Sequence, residues 1–83
     1  MMSKIKVLIA DDHAVVRMGL ASLLGTSKAI EVVGEAFDGE DTVRKALKLK
    51  PDVVVMDLVM PRKDGIVATT EIHTKLPETK VLS

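Results

Sequence analysis

Three aspartates follow short apolar runs, and they are the residues of this sequence best suited to chemistry. Asp11 and Asp12 follow the run 5–10, and Asp57 follows the run 53–56. Carboxylates brought within a few ångströms repel one another unless a cation or hydrogen bonds offset the repulsion. Oxygen ligands without cysteine suit Mg²⁺, which keeps several waters and often completes its shell with phosphate oxygens. A carboxylate can also attack phosphorus as a nucleophile, forming an acyl phosphate.

The segments around these aspartates have the length and composition of β-strands. Residues 5–10 are β-branched and apolar, and residues 52–57 are apolar on both faces of an extended chain, which is typical of a buried parallel strand. Residues 31–36 are more polar, as at a sheet edge, and residues 80–83 begin a fourth strand. Four strands are therefore predicted.

Three helices are predicted between the strands. From position 14 to 24 the apolar stripe is Val15, Val16, Gly19, Leu20, Leu23 and Leu24, closed by Gly25. Asp38 caps a second helix, which carries Val43, Ala46 and Leu47 and ends before Pro51. The third helix is ended by Pro77, and its predicted buried stripe is Gly65, Ala68, Ile72 and Leu76.

Strand–helix alternation at this spacing predicts a parallel α/β sheet with right-handed crossovers. With the two most apolar strands central, the predicted strand order is 2-1-3-4, with helix 1 on one face and helices 2 and 3 on the other. The winding reverses between strands 1 and 3, which opens a crevice at their carboxyl ends. A single aspartate there is as well explained by a helix cap or turn. Three at one crevice favour a cation site.

Composition excludes several classes of protein. Eighty-three residues make one domain, and 12 basic residues balance 12 acidic ones beside 47% apolar residues, unlike a disordered tail. Without cysteine there is no disulfide framework or thiolate metal site. Phe37 is the one aromatic residue, so stacking platforms for nucleic acid are absent. No apolar run approaches a membrane span and no signal peptide is recognised, so a cytoplasmic location is expected.

The motifs of this chain resemble the receiver domain of bacterial two-component response regulators, and more narrowly the receivers attached to LuxR-type helix-turn-helix output domains. The matching segments are LIADDH (8–13), VRMGL (16–20), VMDLVMP (55–61) and the DG pair at 64–65, in order and at the spacing of the family. The resemblance covers the whole chain. It implies a flavodoxin-like sheet and a signalling module rather than a turnover enzyme.

By this resemblance, Asp57 is the phosphoryl acceptor and also contacts Mg²⁺. Asp12 is a direct Mg²⁺ ligand, Asp11 acts mostly through water, and the backbone carbonyl of Val59 is a further ligand. The phosphoryl donor is a phosphohistidine on a sensor histidine kinase. His13, at the start of helix 1, is interpreted as a solvent-facing residue.

Complete receivers continue beyond the fourth strand, so residues 1–83 are expected to be a partial receiver. The family's phosphate-sensing Ser/Thr and Lys, and the DNA-binding output domain, have no counterpart among them, so no direct contact with nucleic acid is expected. Strands 3 and 4 would be uncovered on the helix 1 side, which predicts self-association with a second copy.

Two alternatives remain open at this point. One is a structural or self-associating receiver fragment that does not switch. The other is a Mg²⁺-dependent phosphatase with an aspartyl nucleophile. That class places a general acid two residues after the nucleophile, where this chain has Val59.

Overall fold

The computed structural model describes residues 4–56 and 62–83. Strands and helices alternate along the described chain, as predicted. The strands are β1 (Ile5–Ala10), β2 (Ile30–Ala36), β3 (Val53–Met56) and β4 (Lys80–Leu82). The helices are α1 (Ala14–Gly25), α2 (Gly39–Leu49) and α3 (Arg62–Lys75).

The four strands form one parallel sheet in the order β2-β1-β3-β4, which confirms the predicted flavodoxin-like topology. Ala10, the last residue of β1, pairs with Ala36 of β2 and with Met56 of β3. Strands β1, β2 and β3 therefore end in register at one edge of the sheet. Since Asp11 follows Ala10 and Asp38 lies two residues after Ala36, the starts of α1 and α2 are both positioned by this edge.

The main core lies between the sheet and helices α2 and α3. Its central side chains are Leu8, Val54, Ala46 and Ile72, all with 0% exposure. The predicted stripe of α3 is confirmed, because Ala68 and Ile72 are buried while Gly65 and Leu76 are half-buried. Burial of this apolar surface is the main contribution to the stability of the fold.

Gly34 in β2 is required by close packing. The β1–β2 register shifts between Val7 and Leu8, and Leu8 then pairs with Gly34. A Cβ atom at position 34 would lie 2.9 Å from Cδ1 of Leu49 and 3.4 Å from Cδ1 of Leu8. A larger residue would require the Leu49 side chain at the end of α2 to move.

Helix α1 covers the opposite face only in part. Val7 and Ile9 alternate with the core residues along β1 and are buried, whereas Val53 and Val55 of β3 are only half-buried and Leu82 of β4 is 56% exposed. The side of β3 and β4 that faces α1 is therefore only partly covered, as the predicted arrangement of helices implies. The reason is that α1 packs mainly against β1 and β2.

The predicted apolar stripe of α1 is wrong in part, because several of its residues are exposed. No residue of α1 is fully buried, and its half-buried side is formed by Arg17, Leu20, Ala21 and Leu24. Val15, Val16 and Leu23 of the predicted stripe are 83%, 47% and 67% exposed. Arg17 contacts Glu35 of β2, so by helical geometry Val16 and Leu23 lie on the flank turned away from β2. Gly25 is the last residue of the helix, and Thr26 is its C-cap.

Candidate metal centre

Asp11 is a fully buried carboxylate at the end of β1. Its main-chain N–H donates to the carbonyl oxygen of Ala36 at 3.0 Å, which extends the ladder between β1 and β2 by one residue. One side-chain oxygen, Oδ1, accepts from the N–H of His13 at 2.8 Å and turns the chain toward α1. The other oxygen, Oδ2, is buried and has no hydrogen-bond partner among the described residues. Buried carboxylate oxygens are nearly always bonded. A buried oxygen without a partner among the described residues therefore suggests that a ligand binds there.

Asp12 and His13 stand beside this carboxylate and are open to solvent. Nδ1 of His13 lies 2.8 Å from Oδ1 of Asp12 and 3.4 Å from Oδ1 of Asp11. One ligand atom from each of the three residues falls within 4.8 Å of the others. The Asp12 and His13 side chains are 37% and 57% exposed, so the group is buried on the Asp11 side and accessible on the other.

Arg17 holds this turn in place through the main chain. Its Nη1 donates to the carbonyl oxygen of Asp11 at 2.8 Å, and its Nε donates to Oε1 of Glu35 at 3.3 Å. The guanidinium group thus connects the β1–α1 turn to β2. Among the described residues, no lysine or arginine forms an ion pair with the carboxylates of Asp11 or Asp12. Their negative charge is therefore available for a cation.

A second buried aspartate, Asp41, lies at the start of α2 and is fully bonded. It accepts hydrogen bonds from the Phe37 N–H at 3.2 Å and from the Arg44 side chain, and it forms an ion pair with Nζ of Lys45 at 3.0 Å. Burial alone would raise the pKa of Asp41, but the bonds from Arg44, Lys45 and Phe37 outweigh it, so the pKa of Asp41 lies below its ordinary value. This carboxylate has a structural role.

The structure brings Asp11 and Asp12 together at the predicted edge of the sheet. Asp57 and Val59 lie outside the described residues, and their assignments as phosphoryl acceptor and metal ligands stay predictions. Met56, which precedes Asp57 in the sequence, pairs with Ala10, which precedes Asp11. The roles of Arg17 and Glu35 were missed by the sequence interpretation. The position of Arg17, one helical turn after residue 13, was the available signal, whereas Glu35 lies 18 residues farther along the chain.

The donor set fits a divalent cation. Two carboxylates, one of them buried with a free oxygen, supply the hard oxygen ligands that Mg²⁺ uses. The carboxylates and the neighbouring imidazole each place one ligand atom within 4.8 Å of the others, which is close enough for them to surround one ion. The site thus has the composition and spacing of a cation centre at the carboxyl end of a parallel sheet.

A parallel sheet of this strand order, with helices on both faces, defines a flavodoxin-like fold. A protein-family model described as "Response regulator receiver domain" matches residues 7–83. The chain belongs to this family. Among the described residues, no helix is both long and apolar enough to cross a lipid bilayer.

Curated relatives and solved structures agree with this assignment. Response regulator protein VraR of Staphylococcus epidermidis is 54% identical over 78 residues, which is 94% of this chain and 37% of VraR. The crystal structure of a two-component response regulator of the LuxR family from Aurantimonas sp. SI85-9A1 superposes with a TM-score of 0.86 at 34% identity, covering 95% of this chain and 56% of that one.

A third comparison is with RcsB from Salmonella enterica serovar Typhimurium, solved bound to promoter rprA in the presence of the phosphomimetic BeF3-. Its TM-score is 0.82 at 32% identity, covering 95% of this chain and 41% of that one. The present chain thus spans little more than a third of the length of VraR, and the similarity to LuxR-type regulators predicted from the motifs is confirmed.

Proposed function

We propose that this chain is the phosphoacceptor module of a cytoplasmic two-component system. Asp57 receives a phosphoryl group from a phosphohistidine of a sensor histidine kinase, with Mg²⁺ bound by Asp11, Asp12, Asp57 and the backbone carbonyl of Val59. Residues 1–83 form a partial receiver. In the whole protein, the receiver regulates a DNA-binding output domain. This chain makes no direct contact with nucleic acid or membrane.

The observation that carries the proposal is the carboxylate of Asp11. It has no exposed surface, yet Oδ2 has no partner among the described residues, and an exposed second carboxylate follows it in the sequence. A buried polar group left unpaired costs roughly 1–3 kcal/mol. Coordination to a divalent cation would remove this cost, which supports a cation site at Asp11.

The transfer step exchanges one bond to phosphorus for another. The phosphorus–nitrogen bond of the donor breaks while a carboxylate oxygen of Asp57 bonds to phosphorus, and the imidazole leaves with the electron pair. Mg²⁺, when bound, offsets the negative charge of the phosphoryl oxygens. Asp11 and Asp12 hold the cation, and Arg17 fixes the main chain at Asp11 on which that geometry depends.

The test is intact-mass spectrometry of the 83-residue chain after incubation with a small acyl phosphate. We expect one phosphoryl group per chain with Mg²⁺ and none with EDTA. Asp57→Asn should abolish the modification and Asp11→Asn should reduce it strongly. Glu78→Gln, which removes an exposed carboxylate at a distant turn, is the matched control and should behave like the wild type.

Two results would contradict the proposal. Equal modification of Asp57→Asn and wild type would show that Asp57 is not the acceptor. Continuous release of inorganic phosphate, without a stable modified chain, would instead indicate the phosphatase alternative.

The proposal includes association of the 83-residue chain with a second copy. The sheet face beside α1 has apolar side chains that this helix leaves uncovered: Val53 and Val55 are half-buried, and Leu82 is 56% exposed. On α1 itself, Val16 and Leu23 are 47% and 67% exposed. Among the described residues, β4 pairs only with β3, so its outer edge can also accept a strand. A second copy supplies the same apolar face and the same edge.

Light scattering across a concentration series tests this contact. We expect a dimer that Leu82→Lys converts to monomer, while Lys80→Glu, an exposed change of charge on the same strand, should weaken it less. A wild-type chain that remains a folded monomer at high micromolar concentration would refute self-association without affecting the assignment of Asp57.

A further inference from the structure

We infer that His13 is a third metal ligand, and that through its Nδ1 atom the site binds divalent first-row transition ions more tightly than Mg²⁺. The inference deepens the proposed function and rests on it, because it concerns the same cation site. It assigns a nitrogen donor to a site that otherwise has only oxygen ligands.

The position of the imidazole ring supports this role. Nδ1 lies 2.8 Å from Oδ1 of Asp12 and 3.4 Å from Oδ1 of Asp11, so it faces both carboxylates although 57% of the side chain is exposed. These spacings match ligands around one ion, because neighbouring donors about 2.1 Å from a metal lie about 3 Å apart in octahedral geometry. In the metal-free chain the 2.8 Å contact is that of a hydrogen bond from Nδ1 to the Asp12 carboxylate, and a cation bound between the two atoms would take the place of that proton.

The imidazole of His13 contacts the neighbouring carboxylates and takes no part in capping the helix. His13 is the N-cap residue of α1, but its side chain makes no cap hydrogen bond. Its main-chain N–H is already bonded to Asp11, and this contact fixes the residue beside the buried carboxylate. The ring can bind a metal through Nδ1 while Nε2 carries the hydrogen, so no backbone contact has to break.

An independent observation shows that the cluster needs a ligand. Oδ2 of Asp11 is buried without a hydrogen-bond partner among the described residues, and the other oxygen of the same carboxylate lies 3.4 Å from Nδ1 of His13. Imidazole nitrogen binds Ni²⁺, Co²⁺ and Zn²⁺ better than it binds Mg²⁺, which prefers oxygen and water. The nitrogen therefore changes which ion the site selects.

The experiment tests directly whether an imidazole nitrogen binds the metal ion. Mn²⁺ is bound to the purified chain, and pulsed electron paramagnetic resonance records the ¹⁴N modulation that a coordinated imidazole produces. Ni²⁺ and Mg²⁺ affinities are measured by competition against bound Mn²⁺. The variants are His13→Asn, and His73→Asn as the matched control, since His73 is an exposed histidine in the last turn of α3.

We expect ¹⁴N modulation in the wild type and in His73→Asn, and none in His13→Asn. The Ni²⁺ affinity of His13→Asn should fall at least tenfold, while its Mg²⁺ affinity changes by less than about twofold. Circular dichroism of the metal-free proteins checks that both variants are folded.

The inference and the proposed function fail in different ways. Stoichiometric Mn²⁺ binding without ¹⁴N modulation, or modulation that persists in His13→Asn, would overturn the role of His13 and leave an oxygen-only Mg²⁺ site intact. A wild-type chain that binds neither Mn²⁺ nor Mg²⁺ would overturn both.

Discussion

The β1–α1 and β2–α2 junctions lie at the same edge of the sheet, and each contains a buried aspartate. At the β2–α2 junction, Asp41 is bonded to Phe37, Arg44 and Lys45, and Asp38 caps the helix by accepting from the Asp41 N–H at 2.7 Å. At the β1–α1 junction, Oδ2 of Asp11 has no hydrogen-bond partner in the described part of the chain. Helix α1 begins with no side-chain cap and no acidic residue in its first turn.

The comparison separates an aspartate that stabilises the fold from one available for binding. Both carboxylates are buried, so burial does not distinguish them. The difference is in their partners: cationic side chains satisfy Asp41, whereas among the described residues Arg17 bonds the main-chain oxygen of Asp11 and no lysine or arginine pairs with the Asp11 carboxylate. An unpaired buried acceptor is therefore the feature that distinguishes the proposed metal ligand from the structural aspartate.

The largest expected effect is the loss of metal-linked stability in Asp11→Asn. An asparagine keeps the acceptor for the His13 N–H but lacks the negative charge. With metal at a hundred times its dissociation constant, the wild type should gain about 2.7 kcal/mol in free energy of unfolding. The variant should gain almost none, as measured by urea denaturation with and without Mg²⁺. Equal gains in both proteins would show that Asp11 is structural, like Asp41.

Asp41→Asn, unlike Asp11→Asn, should lose stability whether or not metal is present. The amide cannot replace a carboxylate that accepts from two cationic side chains, so the free energy of unfolding should fall by roughly 2 kcal/mol. The loss should be the same with Mg²⁺ and with EDTA. Glu40→Gln, on the exposed side of the same turn, is the control and should change little. A metal-dependent loss in Asp41→Asn would remove the distinction between the two junctions.

Low pH should reduce the difference in free energy of unfolding between the wild type and Asp41→Asn. The pKa of Asp41 is lowered in the folded chain, so as pH falls the unfolded chain takes up the proton first. The stabilisation is complete above the ordinary value of 3.8 and is lost as pH falls below it through the folded pKa. Urea denaturation in EDTA should show wild type and Asp41→Asn converging below about pH 4. A constant difference down to pH 2.5 would contradict the assigned cause.

The smallest effect concerns the two cap residues. Asp38→Ala should cost about 1 kcal/mol because the free N–H groups of α2 lose their acceptor. His13→Ala, at the equivalent position of α1, should cost less than about 0.3 kcal/mol in metal-free buffer, since its side chain caps nothing. The loss of stability in each variant is measured by thermal unfolding under the same conditions. A larger loss in His13→Ala would assign the ring a structural role.

Much of the fold follows from local sequence patterns. The β-branched runs, the cap at Asp38 and the prolines at 51 and 77 fix the type and order of the elements, and the apolar character of β1 and β3 makes them central. The α1 stripe was predicted less well. Its apolar residues extend around more of the helix than the side that packs on the sheet, so Val15 and Leu23 are exposed.

The sequence by itself determined the alternating elements, their parallel order and the edge at which Asp11 and Asp12 lie, because strand and helix periodicity and turn residues act over a few neighbours. Only the tertiary structure decided which buried aspartate has hydrogen bonds to both carboxylate oxygens and which has one oxygen without a partner among the described residues. That distinction depends on contacts such as that of Arg17 with Glu35, whose partners come from different elements. A charge is neutralised by whatever the fold places beside it, and sequence spacing does not specify that neighbour.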